Sequence, residues 1–313
     1  MARFGINLPW SDVGAASALM TAPVRRDYVV REYRTPLSIK AVAAGQARYE
    51  TPQGRYLVTP DVFLVLNAGQ QYDMDVPAAW GTTTLCPFFA GGFVEGAVAS
   101  LRASEERQLD DVVVRPVEFC ERLYPMSGAV AAALRAFDRH DVETSFHDLA
   151  YALAALRDDV RRDMARFPAV RAATREELYR RLYRARDFLA SCYAEPLSVA
   201  DAAGVAAMSP FHLHRAFKKA FGTTPMRYLQ SRRLDAARAM LARGARVTDV
   251  CYAVGFASLG SFSALYRRRF GVPPSFGAPS SRRLAMRRPG AGGRRDAAEP
   301  AGEDAGAPQR EQS

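Results

Sequence analysis

At 313 residues and 49% hydrophobic content the chain is long enough for two modest domains with cores of their own, and no run approaches the roughly 18 uncharged apolar residues that cross a bilayer. The net charge of +10 is unevenly placed: residues 1–174 hold 19 Lys and Arg against 21 Asp and Glu, 175–288 hold 21 against 7, and 289–313 hold 3 against 5. A basic segment behind a near-neutral one is the footprint of a chain that docks one end on a polyanion.

The amino terminus carries Asp12 and no long apolar stretch, unlike a secretory signal, so a cytoplasmic location is expected. From 28 to 89 short β-rich runs at 28–33, 38–43, 47–51, 56–58, 62–66, 72–76 and 82–89 alternate with turn signals such as Gly45, Gly54 and Gly69. Strands at that spacing predict a small antiparallel barrel or sandwich. Residues 91–111 read as connecting structure. Residues 117–137 and 144–167 have helical periodicity. In the second, Phe146, Leu149, Leu153, Leu156 and Val160 make one apolar stripe, suited either to covering the β domain or to pairing with a second copy.

From Arg175 the chain reads as helix after helix, broken at Pro196, Gly204, Pro210, Gly222, Gly244, Gly255 and Gly271. From Ala278 it is rich in Gly, Pro, Ala, Arg and Glu without apolar periodicity, and disorder is expected at 278–313. Within the helical region a repeat appears at an offset of 49 residues: Phe217, Lys218, Lys219, Phe221, Gly222 and Pro225 align with Tyr266, Arg267, Arg268, Phe270, Gly271 and Pro274. Each copy has a serine suited to an N-cap, an amphipathic helix ending in cations, a glycine C-cap and then proline. In the first copy Ser198 and Asp201 resemble a capping box, Ser209 caps the next helix, and Leu213, Ala216, Phe217 and Ala220 form its inner side. Phe211, His212, His214, Arg215, Lys218 and Lys219 are left facing outward. A helix that enters the major groove needs this division, with apolar residues on the scaffold, polar ones early for base edges and cations later for phosphates.

The stretch from Leu197 to Phe276 resembles the DNA-binding domain of the AraC/XylS family of bacterial transcription regulators. The matching residues include Ser209, Leu213, Arg215, Phe217, Gly222, Pro225, Tyr228, Arg233, Ala237 and Leu241, then Val254-Gly255-Phe256, Ser261-Phe262 and Phe270-Gly271-Val272-Pro273-Pro274. The resemblance implies two helix-turn-helix units joined by a long helix at about 225–242, entering successive major-groove segments about 34 Å apart. It places base-reading positions on Phe211, His214 and Arg215, with Ser261 in the second unit, and phosphate contacts on His212, Lys218, Lys219, Arg267 and Arg268. The second unit departs from the family pattern: Leu259, Gly260, Ser261 and Ala264 are short or apolar where longer polar side chains are usual. It is therefore expected to hold the backbone, through Arg267, Arg268 and Arg269, more than to read sequence.

In this family an amino-terminal cupin-like domain commonly senses a small molecule and mediates dimerisation. The expected architecture is α+β: a cupin-like antiparallel β-barrel at 1–115, a helical dimerisation or linker region at 116–174, a double helix-turn-helix domain at 175–277 and a tail at 278–313. Tyr33, Tyr49, Tyr56, Tyr72 and Trp80 are the candidate effector contacts. A metal-dependent enzyme would need His and carboxylate ligands on neighbouring strands, but the four histidines, His140, His147, His212 and His214, all lie outside the strand-rich region. Cys86, Cys120, Cys192 and Cys251 lack ligand spacing and are expected to be free thiols. No nucleophile constellation or phosphate loop is present, so neither enzyme activity nor a cofactor is expected. Expected partners are promoter DNA, RNA polymerase, an effector and a second copy of the chain. The competing expectation is a front half without ligand, the regulator acting constitutively or through protein contacts.

Overall fold

The computed structural model describes residues 3–105, 117–167 and 172–276; the tail expected to be disordered lies outside them. The chain runs through β1 (Phe4–Ile6), β2 (Ser17–Met20), β3 (Tyr28–Arg34), β4 (Ser38–Ala44), β5 (Ala47–Thr51), β6 (Gly54–Val58), β7 (Val62–Leu66), β8 (Gln71–Val76) and β9 (Thr83–Phe88). It continues with α1 (Phe93–Glu105), β10 (Leu123–Pro125), α2 (Gly128–Arg135) and α3 (Val142–Ala165). β3 to β9 stand at the runs where alternation placed strands. In β8 the period-two rule is plain, with Tyr72, Met74 and Val76 buried and the residues between them half-exposed.

The expected antiparallel barrel is overturned. Among the described residues the strands form two open sheets, a six-stranded one in the order β1-β2-β9-β4-β7-β10 and a four-stranded one in the order β3-β8-β5-β6, and β1 and β2 pair in parallel. A barrel closes only if its first and last strands pair with one consistent stagger around the ring. Here β1 and β10 are the edges of one sheet and β3 and β6 the edges of the other. The fold is two facing sheets with helices on the outside of the larger.

Two further expectations change. Residues 93–105 form α1 rather than a connection. The single helix expected over 117–137 is replaced by β10 and α2, because Pro125 has no N–H to give a helix interior and its ring would clash with the preceding turn. β10 instead pairs with β7, Leu123 opposite Leu64.

α1, α2 and α3 cover the outer face of the six-stranded sheet. Ile39 and Ala41 of β4 point toward them, and Phe146, Leu149, Leu153 and Val160 of α3 are buried in that core. The α3 stripe therefore faces its own sheet and is not free to pair with a second chain. Val42, Tyr49, Leu64, Tyr72 and Met74 form a second core between the two sheets.

The carboxyl-terminal part is all helix: α4 (Ala172–Ser191), α5 (Val199–Val205), α6 (Pro210–Phe221), α7 (Pro225–Ala242), α8 (Val247–Ala253) and α9 (Leu259–Phe270). α4 belongs to two cores at once. Its Tyr179 and Tyr183 pack into the core of the front half, whereas Leu182, Ala185 and Leu189 pack with Leu213, Phe217 and Leu229. α7, α8 and α9 enclose a further core around Leu241, Cys251 and Phe262. No helix among the described residues is long and apolar enough to cross a membrane.

Candidate nucleic-acid interface

α5 and α6 form the first helix-turn-helix unit. The Ser198 Oγ accepts from the Asp201 N–H at 3.3 Å and the Asp201 carboxylate accepts from the Ser198 N–H at 2.8 Å, a complete capping box. The Ser198 hydroxyl also donates to the Asp201 carboxylate at 2.7 Å, and this bond, with the one from the Ser198 N–H, holds the carboxyl below its ordinary value. Ser209 caps α6 by accepting from the His212 N–H at 3.3 Å, Pro210 occupies the first turn, and Gly222 closes the helix with a left-handed φ of 70°. Leu213 and Phe217 are fully buried, while Phe211, His212, His214, Arg215, Lys218 and Lys219 are exposed. Phe211 is 71% exposed, and the Arg215 guanidinium stands 5.5 Å from its ring centroid, one helical turn away.

α8 and α9 repeat the arrangement. Ser258 accepts from the Ser261 N–H at 3.3 Å, Gly271 ends α9 at φ 76°, and Phe262 and Tyr266 are buried. The outward row is Leu259, Gly260, Ser261 and Ala264, with Arg267 and Arg268 exposed beyond it. The Ser261 hydroxyl accepts from the Ser258 hydroxyl at 3.0 Å. Arg269, grouped with the phosphate contacts on sequence grounds, instead pairs with Asp235 of α7 at 2.8 Å. Arg227 of α7, which no sequence motif marks, shares a surface depression with Arg268 and Arg269. The alternation of Arg and apolar residues along α7 gave no reason to prefer it over Arg232 or Arg238.

α7 fixes the two units to one another through Arg233, whose guanidinium donates to the Tyr193 and Glu195 carbonyls at 2.7 Å each. Gly255, in the turn between α8 and α9, sits against this clamp at φ 86°; a Cβ there would lie 2.8 Å from the Ala194 carbonyl oxygen and 3.1 Å from the Arg233 guanidinium.

Two helix-turn-helix units on one connecting helix, with cations at the ends of both second helices, define a DNA-binding domain of the double helix-turn-helix class. Residues 202–276 match the family described as a helix-turn-helix domain. The chain is 36% identical over 96 residues to the XylDLEGF operon transcriptional activator 2 of Pseudomonas putida, covering 29% of this chain and 61% of the relative. It is 38% identical over 95 residues to the transcriptional activator RhaS of Yersinia pestis (strain Pestoides F), covering 30% of this chain and 35% of the relative. It thus spans less than two thirds of either. A solved transcriptional regulator with an AraC-type DNA-binding domain, from Chromobacterium violaceum, is 30% identical and covered in full, over 38% of this chain, with a TM-score of 0.30. Residues 202–276 thus form a helix-turn-helix domain of the AraC/XylS type, as found in transcriptional regulators.

The front half contains a cavity of about 510 Å³ at one end of the space between the sheets. Of the expected effector residues it brings together Tyr49 and Tyr72. Tyr33 stands behind them, edge-on to Tyr72 at 5.7 Å. Tyr56 lies away from the cavity, where burial raises its hydroxyl well above the ordinary value, the nearby Glu121 adding to this. Trp80 is half-buried outside the cavity lining, its ring 5.4 Å from the Arg48 guanidinium. Trp10, Tyr28, Lys40, Cys86 and Phe88, which no motif in the sequence singles out as effector contacts, also line the cavity. Lys40 is 1% exposed, and burial lowers its ammonium to about 7. Among the described residues, Cys86, Cys120, Cys192 and Cys251 are all free thiols.

Proposed function

We propose that the chain is a sequence-specific DNA-binding transcription regulator, working as an activator, in which residues 175–277 bind promoter DNA and the front half senses a small molecule and dimerises. The observation that carries this reading is the division of α6: Leu213 and Phe217 fully buried, and Phe211, His214 and Arg215 exposed on the opposite side. In the groove, Arg215 donates to guanine O6 and N7, His214 meets a neighbouring base edge and Phe211 presses on a thymine methyl. His212, Lys218 and Lys219 neutralise phosphates on the same half-element. α9 supplies Arg267 and Arg268 to the backbone, and Ser261 makes the single polar approach to a base edge. Both relatives named above are described as transcriptional activators, which supports activation through contact with RNA polymerase.

The reading is tested by selecting binding sites from random DNA with the full chain. The expected result is a site with strong information over one half-element and weak information over the other, one helical turn away. Equal information in both halves would show that α9 reads bases as fully as α6. Affinity should fall steeply with salt by counterion release, and a log-log salt plot of near-zero slope would remove the reading altogether. The homodimer is tested separately by sedimentation of the full chain. The cavity between the sheets supports small-molecule sensing over constitutive action, because its volume lies within the range that holds small ligands, roughly 300–1,000 Å³.

A further inference from the structure

We propose that the cavity between the two sheets takes a small molecule with an apolar body and a carboxylate or similar oxyanion, and that the Lys40 ammonium is the group that pairs with the anion. The proposal rests on the front half being a small-molecule sensor.

Lys40 sits on β4, inside the six-stranded sheet, where residues on both faces are buried. Its neighbours Ile39 and Ala41 face the helices; Lys40 faces the cavity. Its Nζ donates to the Tyr72 hydroxyl at 3.3 Å and stands 4.5 Å from the Tyr72 ring centroid and 3.9 Å from that of Phe88. Among the described residues no carboxylate pairs with it. The one acid at the cavity mouth, Asp27, accepts from the Ala78 N–H at 2.8 Å. A buried ammonium with one hydroxyl and two ring faces is poorly compensated, and such a group is costly to retain in a core. That cost is removed if an oxyanion enters. Nζ has donors to spare, and because Tyr72 accepts from Lys40 its own O–H is free to donate to the same ligand, so the two groups form a two-point cradle. Trp10, Met20, Met74 and Phe88 give the apolar body its walls, and the exposed Arg25 and Arg26 put positive charge at the mouth.

The test titrates the full chain calorimetrically at pH 7 with three probes of one shape, 4-phenylbutanoate, 4-phenylbutanamide and 4-phenylbutylamine, in two buffers of different ionisation enthalpy. The acid should bind at least about ten-fold tighter than the amide, and the amine weakest. Because Lys40 is near half-charged at pH 7, binding of the acid should take up about half a proton. Lys40→Met, similar in volume and able to pack, should bind the amide as well as the wild type does and lose both the preference for the acid and the proton uptake. Equal affinity for acid and amide in the wild type, or a preference that survives Lys40→Met, overturns the anion proposal and leaves the sensor reading standing. Binding of none of the three probes to either protein removes the sensor reading and the proposal with it.

Discussion

Arg215 and Phe211 occupy successive turns of α6, and each constrains the other: the guanidinium over the ring is held outward with fewer rotamers to lose on meeting a base. Arg215→Ala should cost about 1–3 kcal/mol of discrimination at one base pair, read as a flattened preference in competition binding with single-base variants of the site. Lys218→Ala should instead weaken binding to all sequences alike and reduce the magnitude of the salt slope by about 1. Uniform loss for Arg215→Ala would move that residue to the backbone class. At the same scale Lys40 makes stability depend on pH. Its folded pKa, about 7, lies below its ordinary 10.5, so its contribution is fully present above 10.5 and is lost as pH falls through 7. Over that window the wild type should lose up to roughly 1.4 kcal/mol per pH unit relative to Lys40→Met, which carries no such group. Tyr72, Tyr49, Tyr28 and Cys86 face Lys40 from β8, β5, β3 and β9, with Arg25, Arg26 and Asp27 at the mouth; all are shared by the two proteins, so the difference in their denaturation midpoints isolates the lysine. A constant difference across that range would show that Lys40 reaches water. Arg215 was legible in the sequence because a capped amphipathic helix states which side is out. Lys40 was not, because a lysine in a β run reads as solvent-facing unless the strand is known to be central with both faces covered.

At the scale of elements, what the sequence states well is what local chemistry decides. The hydroxyl caps Ser209, Thr224 and Ser258, the prolines that open α6 and α7 and the glycines that end α6 and α9 mark helix limits within a residue, because each is an independent hydrogen-bonding or φ requirement. Strands β3 to β9 were legible by their period. Closure was not: whether ten strands make a ring or two open sheets depends on edge pairing between residues far apart in sequence, about which alternation says nothing. β1 and β10, three residues each, exist only through their partners β2 and β7. The burial of the α3 stripe turns a test of dimerisation into one of folding. Leu153→Asp places a charge in a fully buried position and should destabilise the fold, lowering the protein's melting midpoint sharply, rather than dissociate a folded dimer. A folded, monomeric Leu153→Asp protein would restore the stripe as an interface. In the second unit, Gly255→Ala must place a Cβ against the Ala194 carbonyl at positive φ, and should cost roughly 1–3 kcal/mol in a denaturant titration.

The whole molecule is joined by α4, which carries side chains of both halves' cores. Arg186 and Asp187 on this helix hold the main chain of β10 at one residue: Asp187 accepts from the Leu123 N–H at 2.7 Å, and Arg186 donates to the Leu123 carbonyl at 3.0 Å and to Asp187 at 2.9 Å. Asp187 is 1% exposed, and its burial raises the carboxyl above its ordinary value, Arg186 opposing the shift. Around this pair Arg122 of the front half stands over the rings of Tyr124 and Tyr183, at 4.4 and 4.2 Å, and Tyr183 meets Phe221, the last residue of α6, edge-on at 5.3 Å. The sheet register continues the line inward, since Leu123 pairs with Leu64 and Leu64 with Lys40. The wall of the cavity and the end of the recognition helix are thus separated by three neighbouring strands and one helix, all packed. A chain built this way should melt as one unit by calorimetry. Asp187→Asn keeps an acceptor for the Leu123 N–H but leaves the Arg186 guanidinium without its carboxylate, a loss of about 3–5 kcal/mol for a buried pair. That loss falls on the seam between the halves, so the single transition should split into two, the front half and the helical domain melting apart. If Asp187→Asn still melts in one step at a lower midpoint, the other links across the seam are enough to bind the halves into one cooperative unit: the rings of Tyr179, Tyr183 and Phe221, the Arg184–Gln53 and Ser191–Leu57 hydrogen bonds and the Arg55–Glu195 ion pair.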